Sequence, residues 1–172
     1  VAKYYIERIA KIPVEVDYAS EFRYRDPILS DDTLLILISQ SGETADTLAA
    51  CEEGKRKNVR TLAVCNVRDS SLTREADETV YTNAGPEIGV ASTKAFTTQL
   101  CMLYMLAIEL GLKNEGIQLA EAKELTDDLV KLPLLVEQTL QLEDEIEKIA
   151  VELQYSDFFF YMGRSNQYAI AL

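Results

Sequence analysis

The run Leu34-Leu35-Ile36-Leu37-Ile38 constrains this chain more than any other stretch. It follows the acidic turn Asp31-Asp32 and stops abruptly at a polar cluster. A strand that is apolar on both faces belongs inside a parallel sheet covered by helices. Helix signals then extend from Thr44 to about Lys57, with Lys55, Arg56 and Lys57 in the last turn, where cations suit the negative end of the dipole. Gly54 is tolerated within that helix at a cost of about 1 kcal/mol. Val59 to Cys65 reads as a second strand, Ser71 to Ala76 as a short helix and Glu78 to Thr82 as a third strand. The order β-α-β-α-β with short connections specifies an α/β fold: a doubly wound parallel sheet flanked by helices.

The flanks extend this pattern. Ala2, Ile6, Ile9 and Ala10 form one face of a helix over Val1 to Ile12, stopped by Pro13. Pro13 to Val16 is a strand candidate, and Ala19 to Tyr24 a brief helical turn. Ser92 or Thr93 caps a long helix to about Leu110, whose apolar middle predicts burial all round. Leu119, Ala122, Leu125 and Leu129 mark a further helix ending near Pro133. Leu140, Ile146, Ile149, Ala150 and Leu153 mark another. Phe158-Phe159-Phe160-Tyr161 reads as a strand, and Gly163-Arg164-Ser165 turns from it into a last helix. The expected organisation is a first unit over 1–117, a helical linker over 118–154 and the opening of a second α/β unit over 155–172. Both ends read as cut from a longer protein.

Charge and composition limit the chemistry. Apolar residues make up 48% and charged residues 27%, which suits a globular fold. The longest purely apolar run, Leu100 to Ile108, is about half of what a bilayer-spanning helix needs, so no membrane span is expected. A net charge of −12 disfavours nucleic acid and anionic membranes as partners. It also opposes an anionic ligand, so any phosphate site must depend on strong local donors. Cys51, Cys65 and Cys101 are odd in number, lack C-x-x-C spacing and read as core residues in a reducing compartment. Histidine is absent, which argues against a zinc site or a Ser-His-Asp triad made by this chain. No metal and no cofactor are expected.

Ligands of open parallel sheets bind beyond the carboxyl ends of the strands. Ser39-Gln40-Ser41-Gly42-Glu43-Thr44 occupies that position, between the apolar strand and the next helix. A helix N-terminus offers unpaired N–H groups and the positive end of the macrodipole. The hydroxyls of Ser39, Ser41 and Thr44 and the amide of Gln40 can donate to phosphate oxygens. Gly42 lets the backbone approach closely. The plainer reading is that Ser39 or Ser41 merely caps the helix. Glu43 beside an anion would repel it unless it faces away.

A second candidate, Asn83-Ala84-Gly85-Pro86-Glu87-Ile88-Gly89-Val90-Ala91-Ser92-Thr93-Lys94, joins the third strand to the long helix. By itself it fits a structural loop and a ligand wall equally. Arg164 fits a structural or interdomain role. Neither the Walker pattern G-x-x-x-x-G-K-[ST] nor the dinucleotide pattern G-x-G-x-x-G is present.

Taken together, the two loops resemble those of sugar isomerase (SIS) domains, and Asn83 to Phe96 in particular resembles the isomerising glutamine–fructose-6-phosphate aminotransferases, or glucosamine-6-phosphate synthases. The resemblance covers essentially the whole chain. It implies a flavodoxin-like nucleotide-binding type of sheet. It implies that Ser39, Gln40, Ser41 and Thr44 hold the phosphate of fructose 6-phosphate or glucosamine 6-phosphate, and that Val90, Ala91 and Ser92 line the sugar. The family makes glucosamine 6-phosphate from fructose 6-phosphate and ammonia through ring opening, a lysine imine and proton transfer by a glutamate, without a metal. The ammonia comes from glutamine in a separate glutaminase domain. These catalytic groups are expected outside the 172 residues, so no catalytic residue is assigned within them. The resemblance further implies a cytoplasmic protein, at least a homodimer through its SIS domains. The competing readings are a non-catalytic sugar-phosphate sensor of a transcriptional regulator, another SIS isomerase or deglycase, and a pure interaction module.

Overall fold

The computed structural model describes residues 1–89 and 92–172. They fall into two units, Val14–Tyr104 and Val1–Pro13 with Met105–Leu172. The first holds a three-stranded parallel sheet of β1 (Leu34–Ser39), β2 (Arg60–Cys65) and β3 (Glu78–Tyr81), in spatial order β1-β2-β3. Helices α2 (Ala19–Phe22), α3 (Ala45–Arg56) and α4 (Ser71–Glu75) belong to the same unit. The β-α-β-α-β order read from the sequence is therefore the observed one.

Among the described residues β1 pairs with β2 alone, along one side. Two right-handed crossovers that step in the same direction place both their helices on one face. Leu37 and Ser39 are buried, whereas Leu34 and Ile38, pointing the other way, are 40% and 44% exposed. The core is built from Phe22, Leu37, Ala50, Cys51, Ala63 and Leu72. Gly54 packs against β1: a Cβ there would come within 2.6 Å of Leu35 Cδ2, so its low helix propensity is offset by close helix–strand packing. Beyond the helices, Asp77 ties β2 to the approach of β3. Its Oδ2 accepts from Thr61 N and Thr61 Oγ1, both at 2.8 Å, and the Thr61 N–H holds the carboxyl below its ordinary range. Cys51 and Cys65 are buried and all three cysteines are free thiols.

Pro13 to Val16 forms no strand. The segment has no ladder partner among the described residues, and Arg25 holds it and its continuation by donating to Glu15 at 2.9 Å and Asp17 at 2.6 Å.

The other unit is helical. It contains α1 (Ala2–Ile9), the later part of α5 (Lys94–Lys113), α6 (Leu119–Leu140), α7 (Glu143–Leu153) and α8 (Asn166–Ala171). Asn114 Nδ2 donates to Ala10 O at 2.8 Å, closing α1 onto the end of α5. Helix α5 is not buried all round: Leu103, Ala107 and Ile108 are buried, but Met105 is 45% exposed. By length and composition alone α5 is apolar enough to cross a membrane, a property the nine-residue run understated. The core helix of a soluble protein meets the same test.

Helix α6 runs through Pro133 instead of ending there. A proline removes one N–H donor, and on an exposed helix water can satisfy the carbonyl left behind. Phe158 to Tyr161 forms no strand: Phe158 and Phe160 are 77% and 87% exposed, with no neighbouring strand to pair with among the described residues. An apolar sequence run favours a strand only where a ladder exists to receive it.

Candidate functional site

Register brings three connections to one edge. Ser39 lies opposite Cys65, and Cys65 opposite Tyr81, so β1, β2 and β3 end in one row. The segments after them are the serine loop, the stretch Asn66 to Ser70 and the longer loop leading to α5.

The serine loop is folded by its own hydroxyls. Ser39, buried at the end of β1, accepts from Gly42 N at 2.9 Å, and Ser41 Oγ accepts from Glu43 N at 3.2 Å. Neither serine caps α3, and Thr44 occupies the N-cap position with its side chain unbonded to the helix. The simple capping reading is therefore replaced by one in which the serines shape the loop. Their own hydroxyl protons remain available as donors. Gly42 has φ +69°, and a Cβ on it would lie 2.1 Å from Ser70 Oγ and 2.9 Å from Cys65 Sγ. Only glycine fits that contact.

Glu43 does face away from α3. Its Oε1 accepts from Ser71 N at 2.7 Å, while Gly42 O accepts from Leu72 N at 3.0 Å. The serine loop thus plugs the start of α4, and the Ser71 backbone N–H holds the Glu43 carboxyl below its ordinary value. A similar arrangement closes α5. Glu87 Oε2 accepts from Thr93 N at 3.1 Å and Ala95 N at 3.0 Å, and the bond from Ala95 is foremost in holding its carboxyl low. The cap of α5 is therefore Glu87, not the hydroxyl of Ser92 or Thr93. At α3 the first-turn N–H groups of Ala45, Asp46 and Thr47 meet no protein acceptor among the described residues. Of the three helices that begin at this edge, α3 presents its positive end open.

Asn66 links the two loops, a role that sequence reasoning missed. Its Oδ1 accepts from Ala84 N at 2.8 Å and Thr82 Oγ1 at 3.2 Å, and its Nδ2 donates to Gly85 O at 2.8 Å. Its backbone N–H and that of Val67 donate to Gln40 O, each at 3.3 Å. An asparagine directly after a buried strand was the available signal, since Asn side chains readily bond nearby backbone. An open groove of about 390 Å³ runs beside these residues, lined in part by Gln40, Asn66, Arg68 and Asn83. Arg68 stacks 5.0 Å from the Tyr81 ring centroid and donates to Asn83 Oδ1 at 3.3 Å.

Ser39, Gln40, Ser41 and Thr44 thus lie in the short connection from β1 to α3, with Thr44 at the N-cap position and Gln40 on the groove beside Asn66. Ser92 precedes α5 with φ +57°. Val90 and Ala91 lie outside the described residues. Among the described residues no cluster of His, Cys, Asp and Glu could hold a metal ion.

Comparison with known proteins places this geometry in context. The SIS domain family matches residues 1–109. The whole chain is 52% identical to a glutamine–fructose-6-phosphate aminotransferase [isomerizing] of Caldanaerobacter subterraneus subsp. tengcongensis and 49% identical to that of Clostridium tetani. It spans 28% of the length of each. The C-terminal domain of glucosamine-fructose-6-phosphate aminotransferase from Francisella tularensis superimposes with a TM-score of 0.96 at 43% identity, over 99% of this chain and 48% of that one.

Proposed function

Because the chain belongs to the SIS domain family, we propose that it is the sugar-phosphate-binding part of the isomerase half of a glutamine–fructose-6-phosphate aminotransferase. The observation that carries this reading is the open N-terminus of α3, directly after the Ser39 to Thr44 connection, at a sheet edge where carboxylates engage the starts of α4 and α5.

On this reading the phosphate of fructose 6-phosphate or glucosamine 6-phosphate sits on the free N–H groups of α3. The Ser and Thr hydroxyls and the Gln40 amide donate to its oxygens. Val90, Ala91 and Ser92 line the sugar. The chain carries a charge of −12, so the site works by local donors and the helix dipole instead of a basic field. The parent protein would combine fructose 6-phosphate with ammonia drawn from glutamine to give glucosamine 6-phosphate, a first step toward UDP-N-acetylglucosamine. Residues 1–117 form the first SIS subdomain, 118–154 a helical linker and 155–172 the opening of a second. A glutaminase domain elsewhere in the parent supplies the ammonia, no residue of this stretch is assigned a catalytic role, and the protein acts in the cytoplasm as a homodimer or larger assembly.

Calorimetric titration of the full-length protein with fructose 6-phosphate tests the reading. Ser41→Ala and Thr44→Ala are each expected to weaken binding about tenfold or more, since a hydrogen bond to a charged group contributes about 1.5–3 kcal/mol. Unchanged affinity in both folded variants would sink it.

A further inference from the structure

Two carboxylates stand beside the proposed phosphate grip. Glu43 is turned toward α4, as described above. Asp46, the second residue of α3, is the closer concern. A carboxylate in the first turn of a helix is drawn to the same free N–H groups that an anionic ligand needs. Left alone, Asp46 would compete for those donors or repel the ligand.

It is not left alone. Arg23, the residue that ends α2, donates from Nη1 to Asp46 Oδ1 at 2.9 Å. The Arg23 guanidinium also lies 4.8 Å from the Tyr24 ring centroid, which adds a second constraint on its direction. Glu52 is the other carboxylate near enough to act on it. The pair is partly exposed, with side-chain accessibilities of 32% for Arg23 and 45% for Asp46. Its contribution to stability is accordingly small, and its position at the mouth of the open helix gives it another use.

We propose that Arg23 is a positioning residue for sugar-phosphate binding: it holds the Asp46 carboxylate off the first-turn N–H groups of α3 and cancels its charge there. The inference rests on the placement of the phosphate at α3 proposed above. It assigns Arg23 a role through Asp46, without direct contact with the ligand.

A double-mutant cycle in the full-length protein tests it, with fructose 6-phosphate affinity and competition by inorganic phosphate as readouts. Arg23→Met is expected to weaken both ligands about fivefold, the size of a one-charge effect at a helix end, and to raise KM more than it lowers kcat. Adding Asp46→Asn should restore affinity to within about twofold of the wild type, because the two effects are coupled. Asp46→Asn alone should bind no more weakly than the wild type. The proposal is overturned if Arg23→Met binds normally, if Asp46→Asn fails to rescue it, or if Asp46→Asn alone weakens binding. The last criterion holds even where Arg23→Met does not fold. If Ser41→Ala and Thr44→Ala weaken binding and Arg23→Met does not, this inference alone fails. If none of them weakens binding, the phosphate placement fails with it.

Discussion

Helices α3 and α5 both begin at the carboxyl edge of the same sheet, yet their N-termini are treated in opposite ways. At α5 a carboxylate from the preceding loop, Glu87, reaches back to two backbone N–H groups. At α3 the nearest loop carboxylate, Glu43, is sent to α4, and the next, Asp46, is tied to Arg23. The lesson is that a helix start becomes a ligand site when its acidic neighbours are engaged elsewhere. A start that a carboxylate engages serves the fold, because that acceptor already occupies part of its donor set within the chain.

Breaking the open end at its backbone should have the largest effect. Gly42→Ala adds a Cβ against Ser70 and Cys65 at a φ of +69°. The expected destabilisation is about 3 kcal/mol, the sum of left-handed strain and overpacking, read as a fall in the urea midpoint of the full-length protein. Sugar-phosphate binding should disappear with it. A midpoint within error of the wild type would show that the loop does not depend on that contact.

Removing single hydroxyl donors should act mainly on binding. Thr44→Ala is expected to leave the urea midpoint nearly unchanged and Ser41→Ala, which also removes the exposed acceptor for Glu43 N, to lower it slightly, while each costs the affinity stated above. The linkage between the two loops comes next. Asn66→Ala removes three side-chain hydrogen bonds and is expected to cost about 1–3 kcal/mol. Asn66→Asp keeps the acceptor for Ala84 and loses the donor to Gly85, so its midpoint should lie between. A midpoint for Asn66→Ala equal to that of the wild type would show that these bonds do not hold the loops together.

The closed end should give the smallest effect and a distinctive pH dependence. The Glu87 carboxyl is held below its ordinary value of 4.5, so its stabilisation is fully present above that value and is lost as pH falls through the lowered one. Glu87→Gln should therefore melt slightly lower than the wild type at neutral pH and converge with it in acid. Its sugar-phosphate affinity should fall less than that of Ser41→Ala. A difference in melting that grows as pH falls would contradict the assignment of Glu87 as the cap of α5.

Much of the fold was legible because its signals are local. The apolar stretch Leu34 to Ile38, the cationic end of α3 and the turn residues between strands each act within a few positions. Together they yielded the observed β-α-β-α-β order. The failures share a cause of another kind. Pro13 to Val16 and Phe158 to Tyr161 have strand-like composition, but a strand exists only where a neighbour offers a ladder, and none does among the described residues. Pro133 looked like a helix end because a proline's missing donor is costly in a buried helix, whereas α6 is exposed there.

The site divides in the same way. The sequence by itself determined that a cluster of hydroxyls and an amide would stand between a strand and a helix, with Gly42 among them. Its composition excluded a basic phosphate field. The tertiary structure decided which donors stay free. The serines turned out to fold the loop instead of capping α3, because their oxygens accept from Gly42 and Glu43 within the same turn. The destinations of Glu43, Asp46, Asn66 and Glu87 depend on partners 28, 23, 18 and 8 residues away. A carboxylate's reach is a few ångströms in space, and only the packed sheet edge sets which backbone N–H lies within it.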